Sequence, residues 1–467
     1  MGAILKAGRG AQGAGRREEQ RLLIAGGTVV TEKETARLDV RVVGEQVTAL
    51  GRLTPELDEA VLDATGLFIL PGMIDVHVHI DDRIGECELA DGFPSASEIA
   101  VRTGVTTLAG FATQGSGEAL SKSVARCVGR AKGRSHCDYS FHLTPTGWPW
   151  DWRGIEGLIG RGFSTLKLYT TYREAGLFTD YAKLEEVMRR LAKMSARLLL
   201  HCEDDQTLAG VAASPVNPTD ARSHALLRPE SAEIVAIQKV LELAEKTGCR
   251  VHVVHVSTGE GAAAIAEARL RCPVSCETAP HFLLLDDSVL ARESGHRFLC
   301  TPPLRAATTR ARVEAAAAAR AFDLYATDHC AFTKADKDRH RDDFRNVPKG
   351  LAGLGALVTL VHELLVKRHG LPLSELATRL AANPAKLLGL FPRKGTIAVG
   401  SDADLVVLDP AGPERPVVSS LADCHETYPG RTTTLDIRHV LLRGRPVASD
   451  NTLLTAGRPG GVCLAGV

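Results

Sequence analysis

Apolar residues along this chain fall into two kinds of pattern. From residue 21 to about residue 70 the runs are short: 22–30 is broken by Gly26-Gly27, and 40–43 and 47–50 follow it. Brief apolar runs punctuated by turn residues predict a small β module. A run at 67–70, the turn Pro71-Gly72 and the segment 73–80 come next. Strand-like and helix-like stretches then alternate. Segments 104–111, 164–169, 197–201, 250–256, 273–277 and 323–327 read as strands, and 117–131, 181–196 and 232–246 as helices. Such alternation predicts parallel βαβ units, and over roughly 300 residues it suits a (β/α)₈ barrel better than an open sheet. A late helix is expected at 374–382. A second, short one should start at Asn383-Pro384, with Asn383 as its cap and Pro384 in its first turn. Strand character returns at 404–408 and 437–442. The expected fold class is therefore α/β: a TIM-like (β/α)₈ barrel over 71–390 and a composite β-sandwich domain built from 21–70 and 391–450. A leader at 1–20 and a tail at 451–467 complete the chain.

Composition narrows the class. Lys+Arg and Asp+Glu are both 56, so the formal net charge is zero. Nothing in that balance favours a nucleic acid or an anionic membrane as partner. No apolar run is long enough for a membrane helix. The Gly-, Ala- and Arg-rich opening lacks the apolar core of a signal peptide and is expected to be a disordered leader. The 11 cysteines are scattered through 467 residues with no CxxC pair, which suits reduced thiols in a cytoplasm.

In a barrel, chemistry gathers at the C-terminal ends of the strands. Five places put ligand-type residues there. In Asp75-Val76-His77-Val78-His79, strand alternation points both histidines to one side, where they can share a metal. With 16 histidines in the chain, about half an HxH is expected by chance, so the pair alone also fits two half-buried strand histidines. Lys167 stands between Leu166 and Leu168, where burial is costly and makes an amine nucleophilic enough to capture CO₂ as a carbamate. A strand-end lysine reaching solvent is the plain alternative. His201 ends the run 198–200, and His255 follows 251–254. Singly, each reads as a core histidine. His252, three residues before His255, should face the opposite way on a strand and is left out. Asp328, at the next strand end, fits a helix cap, a salt-bridge partner, or a ligand and proton acceptor. Together, four histidines, a carbamate and an aspartate can hold two divalent ions that acidify a water.

The order and contexts of these residues resemble the amidohydrolase superfamily, within it the hydantoinase and dihydropyrimidinase group. The segments that carry the resemblance are ILPGMIDVHVHI (69–80), STLKLYTTY (164–172), LLLHCED (198–204), VHVVHVSTGEG (251–261), SCETAPHF (275–282), TPPLR (301–305), ATDHCAF (326–332) and NPAKLLGLFPRKGTIAVGSDADLVVLDP (383–410). The resemblance implies hydrolysis of a cyclic amide or ureide C–N bond of the hydantoin or dihydropyrimidine type. It implies His77, His79 and Asp328 on the more buried ion, His201 and His255 on the second, and carbamylated Lys167 between them. Asp328 would be general base and then general acid. Tyr172 would hold the substrate and the developing oxyanion, and Thr301 the ring amide. The usual metal is zinc and the usual assembly a homotetramer. The chain departs from the group at Val347-Pro348-Lys349-Gly350, where Lys349 replaces a substrate-binding asparagine and could hold an anionic substituent. Ile80-Asp81, rather than an arginine, follows the HxH, which argues against a dihydroorotase. Two other readings fit the same superfamily: a non-catalytic scaffold, which loses metal ligands, and an enzyme acting on a linear ureide or N-acyl substrate, which the loops at 84–94 and 147–152 would decide.

Overall fold

The computed structural model describes residues 20–454 and 459–466; all of the expected leader except Gln20 lies outside them. Eight parallel strands form the central sheet: β1 (Met73–Asp75), β2 (Val105–Thr113), β3 (Asp138–Thr144), β4 (Thr165–Tyr169), β5 (Arg197–His201), β6 (Val251–Val253), β7 (Val274–Thr278) and β8 (Leu324–Tyr325). Each pairs with the next in chain order. The ring closes just beyond the ends of β8 and β1, where His329–Cys330 pairs in parallel with Val78–His79. Closure therefore occurs at the rim that carries His79 and Asp328.

Besides the helices Phe93–Arg102, Trp152–Gly160, Gly259–Ala268 and Ala307–Ala318, which were not read either, the apolar pattern missed one barrel strand, β3. Its sequence DYSFHLT alternates polar and apolar residues, which reads as a half-exposed strand, yet every position is buried. Its histidine finds partners inside: the His142 ring bonds Thr165 Oγ1 and the Val76 carbonyl, both at 2.7 Å. Buried polar groups are tolerated when so satisfied. Within the barrel an apolar cluster of Ile74, Val76, Ala109, Leu199, Val254, Leu324 and Ala326 packs against Ala385, Leu387 and Leu388.

The end of the barrel corrects one expectation. Asn383 is not a helix cap. Helix Ser374–Leu376 continues through a π-helical stretch, Ala377–Ala382, into Asn383–Leu388 without a break. Asn383 has helical φ and ψ, and its amide donates to the Asp323 carbonyl at 2.7 Å. Pro384 lacks an N–H and crowds the preceding turn, and widening that turn accommodates it without ending the helix.

Strands from both chain ends build the second domain. One sheet runs Gln46–Gly51, Asp39–Val43, Arg21–Ala25, Ala60–Asp63. The other runs Thr452–Leu453, Arg445–Ser449, Asp436–Leu442, Leu405–Asp409, Phe68–Pro71, Thr28–Val30, Thr35–Arg37. Ile69, Leu405, Val407 and Leu441 of the second sheet meet Leu22, Ile24, Val40 and Val42 of the first. Leu70, Val406, Leu408 and Val440 belong instead to the barrel-side core. A sheet covered on both faces explains why 405–408 reads as a continuous apolar run rather than an alternating one.

Candidate metal centre

Asp75, at the end of β1, pins the two segments that carry the first ligand group. Its buried carboxylate accepts the backbone N–H groups of His77 and Thr327, each at 3.2 Å, and the Thr327 hydroxyl at 2.5 Å. That brings His77 Nε2 to 3.2 Å and His79 Nε2 to 3.5 Å from Asp328 Oδ1. One ligand atom from each of these three residues lies within 4.8 Å of the others. A second group adjoins it: His201 Nδ1 and His255 Nε2 are 3.0 Å apart, and the His77 and His255 ring centres are 5.3 Å apart.

Lys167 stands against both groups. It is 1% exposed, and its ammonium lies 5.3 and 5.1 Å from the Phe111 and Tyr169 ring centres. Among the described residues no carboxylate comes within salt-bridge distance of it. Burial lowers its pKa from 10.5 to about 8, against the opposing pull of Asp328 and Glu277. Burial, and then the nearby Lys167 charge among others, holds His77 and His255 well below the ordinary histidine value. Burial also lowers His201, opposed by Glu203. Neutral imidazole is the form that ligates a metal. Burial raises the Asp328 carboxyl, but His77 and His79 outweigh it and hold it at about 2.

Three of these residues sit in the left-handed region: Tyr172 at φ 65°, His255 at φ 40° and Asp328 at φ 49°. Such backbone costs about 1–3 kcal/mol per residue and persists where the surroundings enforce it. The turn at His255 also corrects the reading of His252. Strand β6 ends at Val253, so two-residue alternation does not extend to His255. Lys167, Leu199 and His252 occupy one register row and face one side of the wall.

His252 thereby enters the site from below. Its Nε2 is 3.0 Å from Glu277 Oε2, and Glu277 Oε1 is 2.5 Å from His77 Nδ1. On the other side Glu203 Oε2 is 2.7 Å from His201 Nε2. Each of these carboxylates takes the far nitrogen of an imidazole and so leaves the near one with a lone pair toward the site. Glu203 and Glu277 were inside segments already singled out, HCED and SCET, but received no role. An acidic residue in a run of buried strand positions was the available signal. Another is His281, fully buried near Asp328 with no partner for its Nε2.

The remaining candidates line one side. The Tyr172 ring is 5.0 Å from that of His201, and the Thr301 side chain adjoins its phenol. Thr301 Oγ1 is also 3.2 Å from His224 Nε2. Lys349 is partly buried, and its ammonium donates to the Phe344 and Arg345 carbonyls at 2.8 and 2.5 Å. Its charge is thus largely used to hold its own loop. The donor chemistry fits a pair of divalent ions: two imidazoles with a carboxylate converge with a second pair of imidazoles, with an amine beside both that has no salt-bridge partner among the described residues.

Residues 68–447 match the profile of the amidohydrolase family. The chain is 31% identical over 450 residues to the D-hydantoinase of Ralstonia pickettii, covering 92% of this chain and 96% of that protein. It is 33% identical over 460 residues to a D-phenylhydantoinase of Escherichia coli, covering 94% and 97%. Among solved structures it resembles the dihydropyrimidinase of Brevibacillus agri NCHU1002, with a TM-score of 0.89 at 30% identity over 96% of this chain and 99% of that one.

Proposed function

Because this chain belongs to the amidohydrolase family, we propose that it hydrolyses a C–N bond of a cyclic amide or ureide of the hydantoin or dihydropyrimidine type. The observation that carries the reading is the convergence of His77, His79 and Asp328 with His201 and His255 around a buried lysine that has no salt-bridge partner among the described residues. In it, His77, His79 and Asp328 would hold one divalent ion and His201 and His255 the other, and Lys167 would contribute as a carbamate. Bound there, the ions supply Lewis acidity that makes water a nucleophile near neutral pH. Asp328 accepts the proton of that water and returns it to the leaving ring nitrogen. Tyr172 donates its phenol hydrogen to the carbonyl oxygen as charge develops. Burial raises the phenol above its ordinary value, so the donor keeps its proton. Thr301 is the contact to the ring amide; Lys349, whose ammonium holds the Phe344 and Arg345 carbonyls, would reach an anionic substituent only by giving up those bonds. Zinc as the ion, a homotetramer and a cytoplasmic setting belong to the same reading. All 11 cysteines are free thiols, which suits a reducing compartment. Among the described residues no helix is long and apolar enough to cross a membrane.

The test is divalent metal per chain, with a screen of hydantoins, dihydropyrimidines and linear ureides. About two ions are expected, falling to one or none in Lys167→Ala. No uptake even with zinc or manganese plus bicarbonate would sink the reading. Only the neutral amine captures CO₂, and burial lowers the Lys167 pKa to about 8. Reconstitution of the metal-free chain should therefore quicken as pH rises toward about 8 and level off above it, whereas a lysine of ordinary pKa would keep quickening toward 10.5.

Tyr172→Phe removes one preorganised donor. Turnover should fall roughly 10²–10³-fold with both ions retained. Unchanged turnover with intact metal would remove Tyr172 from the mechanism.

A further inference from the structure

Arg228 is a cation beside the site that carries no ligand role. Its side chain is 17% exposed. Nε and Nη2 fork onto both Glu203 oxygens at 2.7–3.2 Å, and Glu203 holds His201 Nε2. The same guanidinium lies 5.1 Å from the centre of the Tyr172 ring. Its backbone is fixed from another direction. The Arg228 carbonyl accepts from Arg305 Nη1 at 2.6 Å, and Arg305 Nε donates to Ser257 Oγ at 3.0 Å. Ser257, two residues after His255, gives its N–H and hydroxyl to buried Glu233.

Resting on the metal reading above, we propose that Arg228 is a positioning residue. One guanidinium fixes the His201 imidazole through Glu203 and the Tyr172 ring through face contact, so metal ligand and oxyanion donor share a single geometry. A carboxylate on the far nitrogen of a ligating histidine sets its tautomer and orientation and raises its basicity. A bidentate Arg–carboxylate pair is rigid in its plane, and a cation over an aromatic face restrains the ring. Lysine can replace the charge but neither the fork nor the planar stack.

The holoenzyme carrying Arg228→Met, Arg228→Lys or Glu203→Gln, each with and without Tyr172→Phe, tests this. Zinc per chain and zinc affinity are read by equilibrium dialysis, together with kcat and KM. Arg228→Met and Glu203→Gln should weaken one of the two ions about 10–100-fold. Arg228→Lys should keep both ions and lower kcat with little change in KM. In the Tyr172→Phe background its effect should shrink, because the two side chains act as a unit. Wild-type affinity for both ions in Arg228→Met, or in Glu203→Gln if Arg228→Met does not fold, would overturn the proposal. So would additive effects of Arg228→Lys and Tyr172→Phe. A wild-type chain that binds no zinc would instead overturn the metal reading, and this proposal with it.

Discussion

Asp328→Asn should lose turnover by roughly 10²–10⁴-fold, the range for removing a general acid–base group. The substitution keeps the size of the side chain and removes the charge. It would also loosen the ion held with His77 and His79, because Asp328 Oδ1 is the atom on which both imidazoles converge. His77 and His79, outweighing burial, keep the carboxyl at about 2, so it is ionised, the form that ligates a metal, throughout the neutral range. A folded, metal-loaded variant with turnover within a few-fold of wild type would take Asp328 out of the proton transfer. The fold itself should survive, since Asp75, not Asp328, makes the backbone bonds that hold His77 and Thr327 in place.

The second large effect is on stability and lies far from the chemistry. Lys394→Met should destabilise the protein by about 3–5 kcal/mol, the cost of removing one partner of a buried ion group. Lys394 is 1% exposed, and its ammonium touches Asp138 at 2.9 Å, Asp402 at 3.1 Å and Asp404 at 2.5 Å. Asp138 belongs to barrel strand β3, whereas Asp404 precedes strand Leu405–Asp409 of the β domain. The lysine therefore joins the two domains at a point where three carboxylates would otherwise face one another. Burial lowers its pKa, but the three carboxylates outweigh that and raise it above the ordinary 10.5. A raised cation contributes its full stabilisation below its unfolded value and loses it only as pH climbs toward the folded one. In Lys394→Met the three clustered carboxylates lose the cation that lowers Asp404 and their pKa values rise, so the deficit should grow as pH rises. Denaturant midpoints for variant and wild type would check it, and a shift near zero would show that the carboxylates find other partners, Arg443 at 3.2 Å from Asp138 among them.

Local properties of the sequence determined the architecture and marked most of the candidate site. Alternation of β and α periods is set by near neighbours along the chain, so the barrel was readable without knowing which strand meets which. HxH, a lysine inside an apolar strand and an aspartate at a strand end are likewise local, and each marks a residue whose burial needs a reason. Three things were decided only by tertiary structure. Strand β3 hid because Asp138 and His142 within it are satisfied by partners distant in sequence, His142 by Val76 and Thr165 and Asp138 by Lys394. The turn of His255 back toward the site depends on a left-handed backbone that alternation cannot foresee, and this also concealed His252. The carboxylates that orient the imidazoles were invisible as such. Glu277 reaches His77 across 200 positions of sequence, and Glu203 is held by an arginine 25 positions away. Hydrophobic period is a property of a segment, but register across the barrel and the pairing of buried charges are properties of the closed sheet.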